Sequence, residues 1–187
     1  MVKKNACIFI SGYGSNLKSL IQNSRNHNFP VNIKLVVSDN KNANGLLHAK
    51  KNSIPYLVIN TKKKNHEITT LNNIKKYNIS IICLAGYMKI ISKKFIKSFG
   101  KKIINIHPSL LPKYKGLNTY KRVLTNNEKK TGCTVHFVNE KLDSGKIILQ
   151  KSFFIKKNDD IYTLKNKTQK LEQRAFSEAI INIYRYN

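Results

Sequence analysis

Short apolar runs alternate with longer polar-faced stretches from the start of the chain to residue 107, and this rhythm limits the fold more than any other feature. The runs lie at 6–11 (ACIFIS), 31–38 (VNIKLVVS), 56–60 (YLVIN), 79–86 (ISIICLAG) and 102–107 (KIINIH). Their continuous apolar character suits strands covered on both faces, as in parallel sheets. Between them, 15–24, 43–52, 66–77 and 92–99 read as helices, giving each strand a crossover to the next. Beyond a helix near 118–126 come GCTVHFV and KIILQKSFF, two strands separated by NEKLDSG and close enough to form a hairpin. A helix over about 159–184 closes the pattern. The expected fold class is α/β, a doubly wound, mostly parallel sheet with antiparallel strands late in the chain.

A length of 187 residues suits a single domain, 1–187, with no repeat or linker in view. No apolar run approaches the ~18 residues of a membrane span, so no membrane partner is expected. The first run ends in glycines rather than in a small-residue cleavage site, and reads as a buried strand. Cys7, Cys83 and Cys133 are scattered, odd in number and without metal-ligand spacing. They read as reduced core thiols in a cytoplasmic protein that holds no metal. The formal charge is +26, from 35 Lys and Arg against 9 Asp and Glu. Nearly all the cations are lysines dispersed among asparagines, which describes a solvated surface rather than a basic stripe, and no specific nucleic acid is expected. Carboxylates are scarce enough that any one set between strands calls for a physical reason.

In an open parallel sheet, ligands bind beyond the carboxyl ends of the strands. Three pieces fall there. ISGYGSN turns from the first strand into the first helix, and Gly12 and Gly14 allow the tight turn that could bring an anion to the helix start. It lacks the third glycine of a dinucleotide fingerprint and the Lys of a P-loop, so a plain turn and a phosphate cradle both fit. In KIINIHPSLLPKYKG, Asn105 and His107 share one face at the end of a strand that Pro108 stops. The pair fits either a satisfied polar strand end or a donor and imidazole acting on a carbonyl. Asp143 in NEKLDSG fits a turn residue, or, if the hairpin folds beside His107, a carboxylate that orients the imidazole and raises its pKa.

ISGYGSN, SDNKNANGLLHAKKNSIP, LAGYMKIIS, NIHPSLLPKYKG and TVHFVNEKLDSGKIILQ occur in this order from about residue 6 to Phe176. In that order and spacing the chain resembles the phosphoribosylglycinamide formyltransferase family. The resemblance implies transfer of a formyl group from the co-substrate 10-formyltetrahydrofolate to the amine of glycinamide ribonucleotide, in de novo purine (IMP) biosynthesis, with no metal and no covalent intermediate. It implies Asn105, His107 and Asp143 as the catalytic set and Gly14, Ser15 and Asn16 as the phosphate site. Glu172 falls where the family has a substrate-contacting acid; an ordinary solvated helix carboxylate is the other reading. Folate is expected across Tyr87, Met88, Lys89, Ile90 and Ile91 and across Val138, Asn139, Glu140, Lys141 and Leu142. Lys89 departs from the family's frequent Arg, and Asn118 and Tyr120 depart from its His-rich version of that segment. His136 is expected to be structural, packed in its strand beside the site, and His27, His48 and His66 to be surface or helix residues. The partners are small molecules, and the protein a monomer or homodimer. Methionyl-tRNA formyltransferase and formyltetrahydrofolate hydrolase share the chemistry but are expected to carry further domains; an RNA-binding protein would leave Asn105, His107 and Asp143 unexplained.

Overall fold

The computed structural model describes residues 2–185, and the chain falls into two compact units, Met1–Ile104 and Asn105–Asn187. In the first, strands β1 (Lys4–Ile10), β2 (Val31–Ser38), β3 (Tyr56–Val58) and β4 (Ile81–Leu84) alternate with helices α1 (Ser15–Ser24), α2 (Gly45–Lys51), α3 (His66–Lys76) and α4 (Lys93–Phe99). The strands run parallel in the order β3-β2-β1-β4. β1 is central and buried from Ala6 to Ile10, with Ile8 paired to Val36 on one side and Cys83 on the other. Ile8, Phe9, Leu17, Leu35, Ile82 and Phe95 are among its fully buried side chains, an apolar filling that drives collapse of the layer.

Helix ends are fixed by local chemistry. Ser92 Oγ accepts the Phe95 N–H at 3.0 Å as the N-cap of α4 and donates to Glu67 Oε2 at 2.6 Å, tying α4 to the first turn of α3. Gly100 ends α4 in the left-handed conformation.

β5 (Lys102–His107) runs across the division of the chain. The second unit holds its Asn105–His107 end, then α5 (Thr119–Thr125), β6 (Lys130–Phe137), β7 (Ile147–Phe154) and α6 (Ile161–Arg185), with strand order β5-β6-β7. β6 and β7 form the expected antiparallel hairpin, with a register shift between Val135 and His136. α6 buries a stripe that includes Leu164, Thr168, Glu172, Ala175, Phe176, Ala179, Ile180 and Ile183, a helical period facing the core. Cys7, Cys83 and Cys133 are free and buried. Among the described residues, no helix is long and apolar enough to cross a membrane.

The turn that carries Asp143 needs a glycine: a Cβ on Gly145 would lie 1.7 Å from the Phe137 carbonyl oxygen, whereas one on Gly12 would meet nothing within 4 Å. Gly145→Ala is expected to cost about 1–3 kcal/mol and Gly12→Ala to stay within about 0.5 kcal/mol. Paired thermal melts check the contrast.

Candidate active site

In the first unit the turn after β1 is built around close backbone contact. Gly14 has φ 73, and a Cβ there would fall 2.6 Å from Gly45 Cα. The Gly45 N–H donates to Gly12 O at 3.0 Å, so the start of α2 braces the turn. Ser15 and Asn16 open α1, and Asn16 is buried. Ser11 ties this turn to its neighbours: its N–H donates to Gly86 O at 3.2 Å, its Oγ donates to Asp39 Oδ1 at 2.6 Å, and the Met88 N–H donates to Ser11 Oγ at 2.8 Å. The turn at Gly12–Asn16 and the segment at Tyr87–Ile91 are therefore mechanically joined through Ser11. Tyr87 stacks edge-on against Phe9 at 5.2 Å, while Met88, Lys89 and Ile90 are exposed. A cavity of about 450 Å³ lies against Phe9, His66, Glu67, Tyr87, Lys89 and Ile91.

In the second unit the structure gathers the three residues expected to carry chemistry. Asn105 and His107 stand two apart on β5, and the β6–β7 turn brings Asp143 to them in a left-handed conformation, φ 44. Asp143 Oδ2 accepts the Gly116 N–H at 2.8 Å and lies 3.4 Å from His107 Nδ1; Oδ1 accepts from Asn105 Nδ2 at 3.4 Å. His107 Nε2 donates to Tyr114 O at 2.8 Å. Both ring nitrogens of His107 therefore face acceptors, an arrangement that the doubly protonated ring satisfies completely. His107 is 6% and Asp143 9% exposed, so the pair works largely out of water, where electrostatic interactions are strong.

His136, expected to be structural and packed in its strand beside the site, lies in β6 against this cluster. Its Nδ1 donates to Phe137 O at 2.8 Å, which leaves Nε2 to accept from Asn105 Nδ2 at 3.3 Å. Burial holds its pKa below the ordinary value, outweighing the opposing pull of the Phe137 carbonyl and Asp143. The ring is thus neutral, and its 3.7 Å approach to Asp143 Oδ1 is proximity rather than an ion pair, because Nε2 is already an acceptor. The register shift at Val135/His136 is the local irregularity that re-aims such a side chain.

The remaining expectations fare differently. Val138–Leu142 forms a loop organised by Asn139, whose Oδ1 accepts from the Lys141 N–H at 3.0 Å and Ser144 Oγ at 3.1 Å; Leu142 is exposed. Glu172 is not a solvated helix carboxylate: it sits at 8% exposure on the core stripe of α6. Burial, with the charge of Glu172 second, pushes the Cys133 thiol up to about 12 and raises the Tyr120 phenol. Asn118 precedes α5 in a left-handed conformation, φ 57. His48 and His66 are partly buried helix residues, and His27 is exposed.

The chain belongs to the formyl transferase family, whose sequence model matches residues 4–180. Within that family it is similar to phosphoribosylglycinamide formyltransferases. That of Haemophilus influenzae is 40% identical over 177 residues, covering 92% of this chain and 84% of the relative. That of Bacillus subtilis is 32% identical over 181 residues, covering 95% and 93%. The human trifunctional purine biosynthetic protein adenosine-3 is 38% identical over 182 residues, but the chain spans only 18% of its length. Among solved structures, the phosphoribosylglycinamide formyltransferase of Brucella melitensis aligns with a TM-score of 0.92 at 38% identity, covering 97% of this chain and 95% of that one. The enzyme of that name from Bacillus halodurans aligns at 0.93 and 31% identity, covering 98% and 97%.

The folded protein resists protonating His136, while the unfolded chain takes that proton at the ordinary value of 6.5. The stability this group confers is therefore complete above that pH and falls as pH drops below it. His136→Gln should flatten the fall in stability below 6.5; denaturant melts across pH 5 to 8, with parallel slopes for variant and wild type as the contrary result, check this.

Proposed function

We propose that the protein transfers the formyl group of 10-formyltetrahydrofolate to the primary amine of glycinamide ribonucleotide, giving formylglycinamide ribonucleotide and tetrahydrofolate, as a step of de novo purine biosynthesis. The observation that carries the proposal is the Asp143 carboxylate, which reaches Asn105 with one oxygen and His107 with the other. Formyl transfer to an amine builds negative charge on one oxygen and must remove one proton from the attacking nitrogen. This cluster offers what both events need.

In the proposed reaction the amine attacks the formyl carbon, and the carbonyl oxygen becomes an oxyanion. His107, protonated, supplies the compensating charge. Asn105 supplies an amide hydrogen: its 3.4 Å contact to Asp143 is long for a hydrogen bond, so an incoming oxyanion displaces it readily. Asp143 takes the proton of the attacking nitrogen, directly or through water. Collapse of the tetrahedral intermediate breaks the bond to N10 of the folate, which takes up, directly or through water, the proton that Asp143 accepted, and so returns the carboxylate to its starting state. His136 holds the Asn105 amide from the other side.

The phosphate of the ribonucleotide is assigned to Gly14, Ser15 and Asn16, where a ten-residue helix begins after a backbone turn with no Cβ at Gly14. Folate is assigned to Tyr87–Ile91 and Val138–Leu142, and a substrate contact to Glu172. The family match, which runs through both units, supports reading 1–187 as one catalytic domain. A cytoplasmic setting belongs to the same reading, supported by three buried, free cysteines.

Tetrahydrofolate release from 10-formyltetrahydrofolate, followed by absorbance with and without glycinamide ribonucleotide, tests the proposal. Release is expected only with the ribonucleotide; release without it would make the activity hydrolytic, and no release would refute the assignment. His107→Ala should lower kcat by about 10²–10⁴-fold with the fold intact by circular dichroism. Asn16→Ala should raise KM for the ribonucleotide more than KM for the folate, and equal effects on both would remove the phosphate assignment.

A further inference from the structure

The contact that fixes His107 most tightly is made by a backbone atom of a loop. His107 Nε2 donates to the Tyr114 carbonyl at 2.8 Å, shorter than its 3.4 Å approach to Asp143. A loop carbonyl can orient a ring only if the loop holds still, and Tyr114 lies in the left-handed region, φ 58, which a side chain with a Cβ adopts only where its surroundings compel it.

The surroundings do so from several directions. Tyr114 Oη donates to Glu128 Oε1 at 2.8 Å and accepts from Asn126 Nδ2 at 2.9 Å. Lys113 Nζ bonds the same Glu128 oxygen at 2.8 Å. The Arg122 guanidinium sits 5.3 Å from the centre of the Tyr114 ring, and its Nη1 donates to Lys115 O at 2.6 Å. The hydrogen bonds from Lys113 and Tyr114 hold the Glu128 carboxyl below its ordinary range, so it is ionised throughout neutral pH. The phenol is therefore pinned to the far end of α5, and the carbonyl of the same residue is aimed at His107.

We propose that Tyr114 is a positioning residue for His107: its phenol, anchored on Glu128 and Asn126, fixes the backbone carbonyl that keeps the proton on Nε2 and turns Nδ1 toward Asp143. In this arrangement one ring nitrogen is held by the loop and the other faces the carboxylate, so the loop sets the angle at which His107 meets Asp143. The inference rests on the formyl transfer reading for its catalytic consequence, and on the ring geometry alone for its structural one.

The two are separable by experiment. Histidine-selective ¹⁵N NMR reports whether Nε2 of His107 carries a fixed proton; steady-state kinetics report kcat and both KM values. Tyr114→Phe removes both phenol hydrogen bonds and keeps the ring under Arg122. It should free the Nε2–H from its carbonyl acceptor, so that its proton signal is lost to exchange with water, and lower kcat by about 10- to 100-fold, with both KM values within about twofold of wild type, as for a group that acts only on the reacting centre. Glu128→Ala should behave alike, while Glu128→Gln, which keeps an acceptor oxygen for the phenol, should restore the wild-type ring signal and most of kcat. Unchanged His107 signals in Tyr114→Phe would overturn the proposal whatever happens to kcat. So would an equal loss in all three variants together with a lowered melting temperature, which would mark the network as merely structural. Wild-type protein without formyl transfer would refute the functional reading instead, and the NMR comparison would still decide the role of Tyr114.

Discussion

The Asp143 carboxylate is the constraint on which the second unit depends. One oxygen is held by the Gly116 N–H and lies against His107; the other accepts from Asn105 and approaches His136. A buried carboxylate left without such partners would be strongly unfavourable, so burying it obliges the chain to bring β5, the loop after it and the β6–β7 turn together. The left-handed backbone at Asp143 and the absence of a Cβ at Gly145 are what that convergence demands of the turn. The contacts that hold this carboxylate thus organise the second unit around it.

The economy of acids extends this logic to the whole chain, which has nine against thirty-five cations. Asp39 holds Ser11, Glu67 holds Ser92, and Glu128 holds Tyr114 and Lys113. Asp159 and Asp160 organise the start of α6, and Glu178 pairs with Lys151. Each sits where two segments of one unit, or two ends of one turn, must be joined. The lysines cover the outside; the carboxylates set the geometry.

Much of this was legible in the sequence. The strands at 31–38 and 102–107 fall at their expected bounds, because β-branched apolar runs ending in Ser or in His-Pro allow little else. Asn105 and His107 could be placed on one face by strand parity alone, and the turn character of Asp143 by its neighbours. What the sequence hid are contacts made by backbone atoms or by irregular register. The Tyr114 carbonyl and Gly116 N–H carry no side-chain signature, and the register shift before His136 defeats the alternation that would otherwise assign its face. Glu172 was readable as a solvated helix carboxylate because its stripe of buried neighbours becomes apparent only when the period of α6 is followed through Leu164, Thr168 and Phe176. The hub at Ser11 was invisible for a simpler reason: serine beside a glycine turn is common, and its contacts come from distant segments.

The most direct test is the kcat of Asp143→Asn, measured with saturating 10-formyltetrahydrofolate and glycinamide ribonucleotide beside a thermal melt. The amide keeps the size of the side chain and an acceptor for the Gly116 N–H but loses the charge and the ability to take a proton. A fall in kcat of about 10²–10⁴-fold in a folded variant is predicted, because the amine's proton then has no acceptor and the charge facing His107 is gone. Turnover within a few fold of wild type would contradict the account, since a carboxylate that can be neutralised without loss neither orients the imidazole by its charge nor moves the proton.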